Sequence, residues 1–248
     1  MPSLARNGFC VRTVLHVLQV SPQFESRFRP MTTNSLDLAA LLCSRLCHDM
    51  LSPVGALNNG LELMADEKDP VMRQRCMELL EQSARTSANK LKFFRLAYGA
   101  AGGFGEAVPV EEAHELLQSL TAADERLTLE WAVGEQSLSK PAIKVLLNLA
   151  AMGLDSLVRG GTLAVGAERS EGKTEIAIRA AGPKVAFDAT VGKALGGQLA
   201  ESELSGRTAP AHMIRLIVER DNGEVMYHHG EDALVLGAVL PDMEGMIG

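Results

Sequence analysis

"SRLCHDMLSPVGALNNGLEL" (Ser44–Leu63) places a histidine, His48, inside what otherwise reads as an amphipathic helix. Working outward, Ala39, Cys43, Leu46, Met50, Val54, Leu57, Leu61 and Met64 recur in steps of three and four, which predicts one long helix from Ser35 to about Ala65 with one buried stripe. At about 100° per residue, His48 falls opposite that stripe and faces solvent. Its own face carries Leu41, Ser44, Arg45, Leu51, Ser52, Gly55 and Asn59. Gly55 in a helix interior costs about 1 kcal/mol relative to alanine. Pro53 deletes a helical hydrogen bond, so propensity explains neither residue. Two readings stand side by side: a solvated histidine beside a bend, or a reactive group that small neighbours leave open to another protein.

"DEKDP" (Asp66–Pro70) breaks the helix, and Pro70 can open the next because a first turn has no use for its missing N–H. The second helix carries a seam of Met77, Leu80, Ala84, Ser87, Leu91, Phe94 and Tyr98, so the pair forms an antiparallel hairpin. Burying both stripes needs either the rest of the chain or another hairpin from a second copy. A second copy closing a four-helix bundle is the economical solution, and a homodimer is expected.

"GAAGGFGEAVP" (Gly99–Pro109) reads as a linker, after which the composition changes. Beyond it come a helix near Val110–Leu120, a strand "LTLEWAV", a helix from about Ser139 to Val158, and strands "GTLAVGAE" and "TEIAIRA". A short helix near Thr190–Leu199, a helix "APAHMIRLIVER" and strands "EVMYHH" and "ALVLGAVL" complete an α/β sandwich. The fold class is α+β. Residues 1–34 form an N-terminal extension, either disordered or upstream of a true start at Met31. The hairpin spans 35–100, the linker 101–109, the sandwich 110–241 and a tail 242–248.

The chain has 248 residues, 46% of them hydrophobic, with a net charge of -7, which fits a globular protein able to bury one or two cores. Its basic residues are scattered, which argues against nucleic acid and anionic membranes and favours protein partners. Arg6, Arg12, Arg27 and Arg29 crowd the first thirty residues, but a signal peptide wants a cleaner apolar core than "VLHVLQV" and a small-residue cleavage site, and a span needs far more length. Cys10, Cys43, Cys47 and Cys76 fit no disulfide framework and suit a reducing cytoplasm. No CxxC pair or second ligand cluster points to a metal. His114, His212, His228 and His229 are assigned to surface or edge positions.

"HDMLSP" (His48–Pro53) resembles the phosphoacceptor motif of histidine kinases, in which histidine is followed by an acid, two variable residues, Ser or Thr, and proline. "KVLLNLAAMGLDSL" (Lys144–Leu157) and "MIRLIVERDNGEV" (Met213–Val225) resemble parts of the kinase ATP-binding domain. The resemblance also implies what is lost. Met152 stands at the Mg²⁺-coordinating asparagine, and a thioether is a poor Mg²⁺ ligand. Ala180 stands at the adenine-recognising aspartate, in "RAAGPKV" (Arg179–Val185). Thr208 and Pro210 stand at phosphate-cradling glycines, and Pro210 has no amide to offer.

A bundle with a reactive histidine, joined to such a degenerate domain, resembles the dimeric histidine phosphotransferases of alphaproteobacteria, the ChpT family. That resemblance implies a relay without ATP-dependent autokinase activity. Phosphate would pass from the receiver domain of a hybrid histidine kinase (CckA type) to His48 and on to response regulators of the CtrA and CpdR type, in cell-cycle control. It implies no cofactor of the chain's own, with Mg²⁺ carried by the receiver. Asp49 would assist His48; a simple ion pair with Arg45, one turn earlier, is the open alternative. Leu41, Ser44, Arg45, Leu51, Ser52, Gly55 and Asn59 would form the docking surface.

Overall fold

The computed structural model describes residues 9–19, 35–99 and 107–242. Met31, most of the glycine-rich linker and all but the first residue of the expected tail lie outside the described residues.

Helix α1 (Val11–Gln19) precedes the hairpin of α2 (Ser35–Asp66) and α3 (Pro70–Ala97). The reversal between these helices is built by Asp69, whose carboxylate accepts from the Val71 N–H at 3.1 Å, with Pro70 at the first helical position. Close approach of α2 to α3 depends on Gly60, where a Cβ would lie 2.8 Å from a Leu80 methyl.

The second domain runs β1 (Ala107–Pro109), α4 (Val110–Thr121), β2 (Leu127–Val133), β3 (Ser137–Ser139), α5 (Lys140–Ser156), β4 (Gly161–Ser170), β5 (Lys173–Ala181) and α6 (Ala189–Leu195). A single 3₁₀ turn (Glu201–Glu203), α7 (Ala209–Arg220), β6 (Glu224–His229) and β7 (Ala233–Pro241) complete it. The main sheet has the order β2-β4-β5-β7-β6, with β2 and β4 parallel and the other pairs antiparallel. β1 and β3 form a separate small antiparallel pair. Ser139 caps α5, its hydroxyl accepting from the Ala142 N–H at 3.3 Å. Before β4 the chain turns at Gly160, whose φ of +80° and approach to the Arg126 carbonyl leave no room for a Cβ.

The core lies between the sheet and α4, α5 and α7, with Ile143, Leu146, Leu147, Leu149, Leu163, Ile176, Ile178 and Ile214 fully buried. Phe93, Phe94, Leu96 and Ala97, the end of α3, belong to the same cluster. The hairpin is therefore anchored in the second domain, and the expected boundary near residue 100 falls just past residues that both parts share.

Four expectations are revised. Val11–Gln19 is not an unpacked extension. Its residues Val11, Leu15 and Leu18 are buried with Ala177 and Met226 on the sheet face turned away from the core. Cβ atoms at Gly166 and Gly237 would strike Val11, Leu15 and Leu18, so these small residues shape the groove that α1 fills. The single buried stripe of α2 is instead divided: Leu46, Met50, Leu57 and Met64 are half-buried, whereas Cys43, Val54 and Leu61 are exposed. The seam of α3 divides likewise, with Phe94 buried, Leu80 and Ser87 half-buried, and Met77, Ala84 and Leu91 exposed. Finally, His212 is buried in α7, where desolvation holds its imidazole below the usual histidine range.

Candidate functional site

His48 projects from α2 with its side chain 84% exposed. Its Nδ1 lies 3.2 Å from Asp49 Oδ1. The other Asp49 oxygen accepts from Arg45 Nε at 2.7 Å, one helical turn back. Arg45 then reaches into the second domain, where its Nη2 meets Asp155 Oδ2 in the last turn of α5 at 3.4 Å. Partial burial raises the Asp49 carboxyl, but the hydrogen bonds from Arg45 and His48, with Lys90 nearby, outweigh it and hold the group below the usual carboxylate range. Burial likewise opposes the charge on Arg45, yet Asp49 and Asp155 leave its pKa raised. Tyr98 beneath them is pushed up to about 12, mainly by burial.

The tautomer that carries its proton on Nδ1 donates to Asp49 and leaves the Nε2 lone pair open to solvent, the arrangement of a nucleophilic imidazole. The sequence motif thus becomes a geometry, in which Asp49 touches both Arg45 and His48. One oxygen pairs with Arg45 while the other meets the histidine.

Pro53 completes the local architecture in a way that sequence reasoning did not anticipate. It lies buried within α2 instead of beside the histidine. Its missing N–H is the one that would have bonded the Asp49 carbonyl, four residues earlier. Lys90 of α3 supplies a substitute, its Nζ donating to Asp49 O at 2.8 Å. The helical bond lost at the site is replaced by a tie across the hairpin.

Of the expected docking residues, Ser44, Leu51, Ser52 and Asn59 are exposed, with Leu51 at 72%. A Cβ at Gly55 would meet nothing within 4 Å, so this side of α2 is open. Leu41 and Arg45 differ, because the second domain covers their turn. A Cβ at Gly206 would stand 3.5 Å from both the Leu41 carbonyl oxygen and the Arg45 amide nitrogen.

Between the hairpin and the second domain lies a cleft of about 450 Å³. Arg45, Asp49, Lys90 and Tyr98 line it from the hairpin, and Met152, Asp155, Phe187 and Pro210 from the second domain. Two of the four positions read as degenerate nucleotide-binding elements, Met152 and Pro210, therefore border one space. Ala180 and Thr208 are buried and absent from its lining. Among the described residues, no group of three or more His, Cys, Asp and Glu side chains is placed to hold a metal ion. No helix among them is long and apolar enough to cross a membrane. Asp155 and Lys90 went unnoticed in the sequence. An acid in the last turn of a helix, against its dipole, was the available signal for the first.

An exposed histidine beside an acid, on a hairpin joined to an α/β sandwich, agrees with what family comparison finds. Residues 110–233 match the family described as histidine phosphotransferase C-terminal domain. The chain belongs to the histidine phosphotransferase family. Within that class it is similar to protein phosphotransferase ChpT of Brucella abortus (strain 2308), 32% identical over 213 residues that make up 84% of this chain and 98% of the relative. A solved structure described as a bacterial phosphotransferase superposes with a TM-score of 0.74 at 30% identity, covering 84% of this chain and 98% of that one.

Proposed function

We propose that this chain relays phosphoryl groups through His48 between receiver domains. The observation that carries the reading is the exposed imidazole whose Nδ1 meets Asp49 while Nε2 stays open. The Nε2 lone pair attacks the phosphorus of a receiver aspartyl phosphate. An N–P bond forms as the aspartyl O–P bond breaks, and the carboxylate leaves with the electron pair. Asp49 accepts the Nδ1 hydrogen bond as the ring becomes positive. Transfer to a second receiver's aspartate reverses these steps. The work left to the protein is positioning and charge neutralisation, with Mg²⁺ brought by the receiver.

The donor in this reading is the receiver domain of a hybrid histidine kinase, and the acceptors are response regulators, in a cytoplasmic cell-cycle circuit of the CckA to CtrA and CpdR type. Family membership and the ChpT relative support it. The losses at Met152, Ala180, Thr208 and Pro210 favour a relay without ATP-dependent autophosphorylation. The exposed residues Cys43, Val54 and Leu61 of α2 and Met77, Ala84 and Leu91 of α3 support a homodimer closed as a four-helix bundle.

The test is phosphoryl transfer from a phosphorylated receiver domain to the purified protein. Label appears on the wild type, none on His48→Ala, and none from ATP without a donor. Receiver binding that persists without any label would instead make the chain a degenerate kinase that sequesters regulators. Label from ATP alone would make it a kinase.

A further inference from the structure

We propose that Asp155, in the second domain, is a positioning residue for His48: by occupying one edge of the Arg45 guanidinium, it keeps Asp49 divided between Arg45 and the histidine. The inference rests on His48 as the phosphoacceptor and assigns the second domain a part in the chemistry.

The argument begins with the guanidinium. Arginine meets a carboxylate most favourably through two parallel N–H···O bonds, and Nε with one Nη makes one such fork. Arg45 and Asp49 lie one turn apart on α2 and already share the Nε···Oδ2 bond of 2.7 Å. The second bond of that fork would run from Nη2 to Asp49 Oδ1. Oδ1 is the oxygen that faces His48 Nδ1 at 3.2 Å. A completed fork would draw Asp49 toward arginine and weaken its hold on the ring. One N–H of Nη2 is directed elsewhere, to Asp155 Oδ2 at 3.4 Å, and that contact turns the guanidinium toward the second domain and away from the completed fork.

The helix itself gives Asp155 no reason to be acidic; beyond Arg45, the cation that acts on it is Arg207, across the same cleft. Asp155 lies in the last turn of α5, which holds no basic residue, and a negative charge there opposes the helix dipole. Its replacement by alanine removes that unfavourable interaction, so folding is expected to be retained. The Asp155 side chain is largely exposed at the cleft, and no core packing is lost with it. The turn at Gly206 lies against the backbone of Arg45, which brings the second domain next to the helix turn that carries it.

The experiment uses the full chain and a phosphorylated receiver domain. Asp155→Ala is expected to slow transfer to His48 by about tenfold or more, the cost typical of an outer partner that orients a reacting histidine, with receiver affinity unchanged. Asp155→Glu should recover part of the rate. In ¹⁵N spectra of the imidazole, the share of the Nδ1–H tautomer should fall in Asp155→Ala and return in Asp155→Glu. In an Arg45→Ala background, Asp155→Ala should have no further effect, whereas a purely structural role would add to the loss. Unchanged rate and tautomer in Asp155→Ala, with wild type labelled on His48, would overturn this inference and leave the relay intact. A wild type that takes no label would overturn the relay, and the tautomer measurement would still decide whether Asp155 orients the ring.

Discussion

The hairpin and the second domain bury their apolar residues on different terms. In the second domain, Leu146, Ile176 and Ile178 are fully enclosed by elements of the same chain. The hairpin leaves Val54, Leu61, Met77 and Leu91 between 41% and 59% exposed, along one side of both helices. The sheet domain is complete in one chain. The hairpin is complete only at its base, where Phe93, Phe94, Leu96 and Ala97 enter the other domain's core. His48 therefore stands on the less self-sufficient part, and the acid beside it is held by Arg45 and Lys90, with Arg45 reaching the more self-sufficient one.

Substitutions test that contrast, the largest effect first. Leu146→Ala should cost about 2–5 kcal/mol by leaving a cavity in the enclosed core. In denaturant titration the loss should be the same at every protein concentration. Lys90→Met leaves the Asp49 carbonyl without its donor and should cost about 1–3 kcal/mol, with faster hydrogen exchange around the His48 turn. Leu61→Glu should change the stability of the single chain by no more than about 0.5 kcal/mol, as at other exposed positions. Under the proposed dimer, light scattering is nevertheless expected to give a dimer for wild type and a monomer for this variant. A Leu61→Glu loss as large as that of Leu146→Ala, undiminished on dilution, would break the comparison.

The smallest effect is electrostatic. Because the folded-state pKa of Asp49 is lowered, its ionised form contributes stability that is present above its unfolded value and lost as pH falls through the folded one. Wild type should therefore exceed Asp49→Asn in stability at neutral pH, and the two should converge in acid. A constant gap across the titration would mean that packing, not charge, accounts for Asp49's contribution.

What the sequence made legible follows the range of the interactions. Strands Leu127–Val133 and Glu224–His229 and the helix Ala209–Arg220 were readable to the residue, because periodicity and turn residues are local signals. The His48–Asp49 pair was legible because its motif is contiguous. The split of the α2 stripe was not, since spacing reports that Val54 and Leu57 are apolar but not which neighbour covers each. Helix α1 was missed because the small residues that receive it, Gly166, Ala177 and Gly237, lie more than a hundred positions along the chain. Asp155 was missed for the same reason: it gains meaning only from Arg45, on a different domain.

The packing of α1 has a consequence in mass action. Its apolar face covers the sheet from within the same chain, so the effective concentration of that contact is fixed by the intervening segment and does not change with abundance. The hairpin face, covered by a second copy in the reading given above, obeys a dissociation constant instead. Dilution would then separate the two: α1 stays seated at any protein level, while the exposed seam of Val54, Leu61, Met77 and Leu91 gains or loses its cover with the number of molecules present.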